Sequence, residues 1–90
     1  MEVNLKIDQE CIDAGVPNEC QKCPMALALA KLNFVEESCV YHESSLIKVN
    51  GKIFVADNPQ EVESFVRNFD AREEVLPFEA GLSFTEMGTD

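Results

Sequence analysis

Asn50-Gly51 stands between two short apolar runs, Leu46-Ile-Lys-Val49 and Lys52-Ile-Phe-Val55, and it narrows the fold more than any other feature of the chain. A two-residue hairpin turn of the mirror-image type needs positive φ at both central positions, which asparagine and glycine tolerate at little steric cost. The dipeptide therefore predicts a β-hairpin in which Val49 faces Lys52 and Ile47 faces Phe54. Both faces of this hairpin carry aliphatic side chains, so it belongs in the middle of a sheet.

The remaining elements follow from periodicity and from their ends. Residues 2–8 alternate strictly, with Val3, Leu5 and Ile7 on one side, and predict a half-buried strand. Asp8 is placed to cap a short helical turn through Cys11 and Ile12 that stops at Gly15. After a polar loop over 16–22, Pro24 suits the first turn of a helix, because its missing N–H would be unpaired there. The helix continues through Met25-Ala-Leu-Ala-Leu-Ala-Lys-Leu32 and ends at Asn33; with Lys31 as its one polar residue, it is expected to be buried on most sides. Residues 37–42 predict a strand with Cys39 and Tyr41 on one face and Val40 and His42 on the other. Asn58 as cap, Pro59 as first helical residue and Glu61 as capping-box partner open a second helix. Val62, Phe65, Val66 and Phe69 form its apolar stripe, Glu63 and Arg67 an ion pair one turn apart, and Asp70 its end. Residues 75–84 alternate again, with Leu76, Phe78, Ala80, Leu82 and Phe84 on one face. Pro77 cannot donate to a ladder and marks an edge strand or the first residues of a strand. The last residues are expected to fray.

This order describes an α+β fold: a single small, mostly antiparallel sheet of four to five strands with two helices packed on one face. Ninety residues make a single domain, 1–90, and with 46% hydrophobic residues it builds a core without staples. There is no tryptophan and one tyrosine against six phenylalanines, so the aromatic part of the core is phenylalanine.

The formal net charge is −10. A chain so acidic repels phosphate backbones and anionic lipid, which argues against direct nucleic-acid or membrane-surface binding. No run approaches the ~20 apolar residues of a membrane span. The charge is uneven. In 46–69 acids and bases balance, whereas the strand and tail 70–90 set Asp70, Glu73, Glu74, Glu79, Glu86 and Asp90 against Arg72. There Glu73, Glu74, Glu79 and Glu86 interleave with Leu76, Phe78 and Phe84. If Leu76 and Phe78 are not fully buried, Glu73, Glu74, Phe78, Glu79 and Glu86 make a surface for a basic, apolar partner; the alternative is an ordinary edge strand with a wet outer face. An open strand edge also allows pairing with a second copy, a homodimer.

The cysteines offer two chemistries. Cys20-x2-Cys23-x15-Cys39-x2-His42 matches the spacing of a structural zinc site with three thiolates and an imidazole, with Cys11 as a spare sulfur. Against it, Cys39 and His42 point to opposite faces of a regular strand, and Cys11 and Cys39 also read as small buried hydrophobes. Cys20 and Cys23 alternatively resemble a redox pair at a helix N-terminus, where the macrodipole lowers a thiol pKa, as a small thiol oxidoreductase would need. Glu19 works against a thiolate there. With no basic-then-apolar leader at its start, the chain is expected to keep reduced thiols in a cytoplasm. His42 has Glu37, Glu43, Ser44 and Ser45 nearby, which do not make a triad. No phosphate loop, dinucleotide fingerprint or clustered carboxylate motif is present, so an enzyme is not expected.

Residues 9–29, and most firmly Cys23-Pro24-Met25-Ala26-Leu27-Ala28, resemble a type of small protein found in bacteriophage genomes and some bacteria, marked by a Cys-Pro-x-Ala-Leu-Ala segment. The resemblance continues weakly into Pro59–Asp70 and Val75–Glu79 and covers about half the chain. It implies a non-enzymatic phage-type accessory protein, with no activity or catalytic residues to carry over. Taken with the charge, it points to a protein that binds a host protein with a basic surface in the host cytoplasm. Its acidic face would occupy a site meant for nucleic acid.

Overall fold

The computed structural model describes residues 1–89, so Asp90, the last of the acidic residues, lies outside the described residues. The chain runs β1 (Glu2–Ile7), α1 (Gln9–Ala14), α2 (Pro24–Ala30), β2 (Glu37–Val40), β3 (Ser44–Val49), β4 (Lys52–Asp57), α3 (Gln60–Asp70), β5 (Phe78–Ser83) and β6 (Thr85–Thr89). The α+β class and the antiparallel pairing are as expected. The strands, however, form two ladders: β1 with β5, and a four-stranded sheet in the order β2-β3-β4-β6. The single sheet divides because β5 and β6 are one strand bent at Phe84, which leaves β1 to join the outer edge of β4, a usual way for a strand to turn a corner between sheets. At the bend the Phe84 N–H donates to the Met1 carbonyl at 2.8 Å. The Met1 ammonium in turn donates to the Phe84 carbonyl at 2.7 Å. Residues 85–89, expected to fray, are thus held in register with β4, and a bulge opposite Ile53 and Phe54 leaves Met87 exposed.

The hairpin is built as its turn requires. Asn50 and Gly51 have φ of 51° and 75°, Val49 pairs with Lys52 and Ile47 with Phe54, and the Glu36 carboxylate accepts the Gly51 N–H at 3.1 Å. β1 alternates exposed and buried residues along its whole length. Asp8 caps α1, accepting the Cys11 N–H at 2.9 Å, and this bond holds its carboxyl below the usual aspartate value.

The core lies between the ladders and the helices. Val3, Leu5 and Ile7 of β1 meet Ala80 and Leu82 of β5, Met25, Ala26 and Leu29 of α2, Ile47 of β3, and Val62, Phe65, Val66 and Phe69 of α3. α2 packs against α1, β1 and β2, and the Ser38 hydroxyl donates to the Ala26 carbonyl at 2.8 Å, tying β2 to α2. α3 carries its predicted stripe inward, with the Arg67 Nε donating to Glu63 Oε1 at 3.1 Å on the wet side.

Asn58 is not the helix cap its sequence context suggests. Pro59 occupies that position, with no side-chain bond, because the Asn58 amide is taken elsewhere. Its Nδ2 donates to the carbonyls of Tyr41 at 2.9 Å and His42 at 3.2 Å, and its Oδ1 accepts the fully buried Ser45 hydroxyl at 2.6 Å. The side chain therefore clamps the β2–β3 connection to the end of β4. Asn58→Ala leaves the Ser45 hydroxyl unpartnered in the interior and is expected to cost about 1–3 kcal/mol in urea denaturation. Adding Ser45→Ala to that background removes the orphaned hydroxyl and should recover much of the loss, and an undiminished loss in the double variant would assign the cost to the freed carbonyls instead.

Candidate functional site

Two features of the surface stand out, a cleft and an acidic coil. The cleft, about 670 Å³, opens between the 18–23 loop, the β2–β3 connection and the end of α3. At its base His42 Nε2 lies 2.9 Å from Asp70 Oδ2, and Asp70 Oδ1 accepts the Asn18 backbone N–H at 2.9 Å. Asn18 sits at φ 64°, a left-handed conformation that asparagine adopts more readily than most residues and that turns its N–H toward the carboxylate. The Asp70 carboxylate is only 15% exposed. Glu43 and Arg67 flank the opening, 4.0 Å apart at their nearest atoms. Neither Asp70 nor Asn18 was expected as a partner for His42. They stand 28 and 24 positions away in the sequence, and no local pattern links a helix end to a loop histidine.

The predicted zinc ligands Cys20, Cys23, Cys39 and His42 do not assemble into one site. Cys23 turns inward at the N-terminus of α2, where its Sγ accepts the Ala26 N–H at 3.4 Å, and it is 2% exposed. His42 is held by Asp70, while Cys20 and Cys39 meet each other beside Tyr41. Among the described residues no three His, Cys, Asp or Glu side chains are arranged to hold a metal. Cys20 and Cys23, the pair expected for thiol redox chemistry, are placed differently, Cys20 half-buried on the loop and Cys23 buried. Burial pushes the Cys23 thiol up to about 11, outweighing the backbone N–H bonds at the helix start that lower it. The adjoining Cys39 thiol, followed by burial, pushes Cys20 up as well. Tyr41 is pushed up to about 12, chiefly by Cys39. Both cysteine shifts run opposite to the lowering that activates a thiolate.

The acidic coil follows α3. The helix closes with the Ala71 N–H donating to the Arg67 carbonyl at 3.0 Å, the Arg72 N–H to Phe69 at 3.0 Å and the Glu73 N–H to Asn68 at 2.9 Å. From there to Phe78 the chain has neither helix nor strand. Glu73 and Glu74 are exposed, and Leu76 is 73% exposed. The alternation read over residues 75–84 therefore starts three positions late, at Phe78, because Pro77 ends the coil and not the strand. Phe78 itself is half-buried, its ring 4.7 Å from that of Phe65. It serves the core, and Leu76 is the apolar residue on the surface. Glu79 is exposed on β5, opposite Lys6 of β1. Glu86 is exposed on β6, opposite Phe54 in the other ladder. Seven positions of extended chain separate it from Glu79, roughly 20 Å, so Glu86 stands apart from the 73–79 group.

No helix among the described residues is long and apolar enough to cross a membrane. Compared with protein-family models, with curated proteins and with solved structures, the chain matches none.

Proposed function

We propose that this chain is a non-enzymatic accessory protein of phage type that works by binding a host protein in the cytoplasm. Its 73–79 segment docks on a basic surface that otherwise receives nucleic acid. The observation that carries this reading is Leu76, an apolar side chain standing 73% exposed in a coil that also bears Glu73 and Glu74. Leu76 is the most exposed large apolar side chain among the described residues, and a binding surface uses such a residue as an anchor inside a charged rim. The net charge of −10 supplies long-range attraction to a basic partner. The resemblance carried by the Cys23–Ala28 segment supports the phage setting.

The test is capture from bacterial lysate at low and high salt, with heparin as a competing polyanion. A retained protein should leave the column as salt rises, be displaced by heparin, and be lost from both a Leu76→Ser variant and a Glu73→Gln, Glu74→Gln, Glu79→Gln variant. All four substitutions sit on exposed side chains, so the variants are expected to unfold at the same urea concentration as the parent. Capture that ignores salt, or that persists in both variants, would remove the electrostatic docking surface and leave the acidity with a role in solubility alone.

A further inference from the structure

Cys20 is paired by the sequence with Cys23 and by the fold with Cys39. The Cys20 carbonyl accepts the Val40 N–H at 2.8 Å, which lays the 18–23 loop along β2, an outer strand of the four-stranded sheet. Segments joined by such a bond run about 5 Å apart, within the Cα separation of about 4.4–6.8 Å that a disulfide spans. Cys39 precedes Val40 and points to the face opposite the buried Ser38 and Val40. There its thiol is near enough to Cys20 and to the Tyr41 hydroxyl to raise the proton affinity of both. Both cysteines are half-buried, whereas Cys11 and Cys23 are buried. Cys20 also lines the open cleft. Cys23 borders the same cleft but is only 2% exposed, so by burial Cys20 and Cys39 are the more accessible thiols.

We propose that Cys20 and Cys39 form a thiol-modification site that closes to an intramolecular disulfide when a low-molecular-weight disulfide, such as oxidised glutathione, serves as the oxidant. One of the two protein sulfurs, deprotonated, attacks a sulfur of the small disulfide. That S–S bond breaks, and one glutathione leaves as thiolate and takes up a proton. The second protein sulfur, deprotonated in turn, attacks the mixed disulfide and expels the other glutathione. The protein pair is oxidised by two electrons, one glutathione disulfide is reduced, and both thiol protons end on glutathione. The neighbouring Cys39 thiol raises the Cys20 pKa, so exchange started by Cys20 is faster in alkali than near neutral pH. The site thus registers sustained disulfide stress and not a brief pulse. Once closed, the bond fastens the 18–23 loop to the sheet and encloses all of α2 in a covalent ring.

The full-length protein is incubated with oxidised glutathione at about pH 8, where thiolate begins to accumulate. It is then denatured, alkylated and peptide-mapped. The expected product links Cys20 to Cys39, with Cys11 and Cys23 alkylated. Its Tm should rise by about 10 °C and return on treatment with dithiothreitol. A Cys39→Ser variant should instead keep one glutathione on Cys20 and show no such rise. A Cys20–Cys23 link, stable glutathione adducts on the wild-type pair, or four free thiols after a day would each overturn the assignment.

Discussion

Phe84→Ala is expected to cost this protein a large share of its stability. Phe84 is 1% exposed and is the bulkiest of the fully buried side chains. Truncating a core phenylalanine costs about 3–5 kcal/mol, the lost transfer energy plus that of the cavity left behind. A domain of this size has about 5–13 kcal/mol in total. The position amplifies the loss. Phe84 is the residue at which the last strand passes from one ladder to the other, and its ring fills the corner between them. The cavity therefore opens where β5 and β6 both depend on a fixed bend. Urea denaturation followed by far-ultraviolet circular dichroism should show a large fall in midpoint, or no folded baseline. Phe84→Leu, which keeps most of the volume, should lose under half as much. An alanine variant with a midpoint near wild type would mean that the two hydrogen bonds to Met1 hold the corner without the ring.

Gly15→Ala is the second large effect, and it separates space from backbone freedom. Gly15 has φ −69° and ψ 151°, a conformation that any residue adopts. What forbids a side chain is contact. A Cβ there would stand 2.8 Å from Phe69 Cζ and from both Cδ and Cγ of Pro24. Pro24 is fixed as the first residue of α2 and Phe69 is buried in the stripe of α3, so neither yields by turning a flexible tip. Overpacking of this kind costs about 1–3 kcal/mol. Stiffening the unfolded chain returns only about 0.4–1 kcal/mol. The net loss should appear in the urea midpoint and shrink when Phe69→Leu is combined with it. If the double variant is no better than the sum of the singles, the strain lies against Pro24.

These two residues also mark where the sequence is legible and where it is not. The hairpin register, the β1 alternation, the Asp8 cap and the α3 stripe can all be read directly, because each is decided within a dozen residues by turn geometry or by one period. The division into two ladders is hidden. Alternation over Phe78–Phe84 says that a strand is present but not that its partner is β1, and nothing local announces that Thr85–Glu86 change partner to β4. Asn58 before Pro59 reads as a cap because capping is the commonest use of that pair. The clamp on Tyr41 and His42 depends on a loop that folds back from 16 positions away. The His42–Asp70 contact and the Cys20–Cys39 pair are products of the same folding back. The spacing Cys20-x2-Cys23 misleads because α2 starts at Pro24 and draws Cys23 into the interior while Cys20 stays on the loop outside. The acidic surface was legible as charge. The exposure of Leu76 stays open in the sequence, since period-two reasoning puts it on one face with Phe78.

The bent strand that serves both ladders also sets a timetable. β1 ends at Ile7, yet its ladder partner begins 71 residues later, at Phe78, and β4 gains its outer neighbour only from Thr85 onward. Most other contacts are available earlier, as the hairpin and helices emerge. A nascent chain therefore holds a formed β2–β3–β4 meander and an unpaired β1 until residues 78–89 arrive. Closing so long a loop is slow, and it exposes two naked edges in the interval. Refolding should accordingly be limited by docking of residues 78–89, with the Asn50-Gly51 hairpin already in place when that step begins.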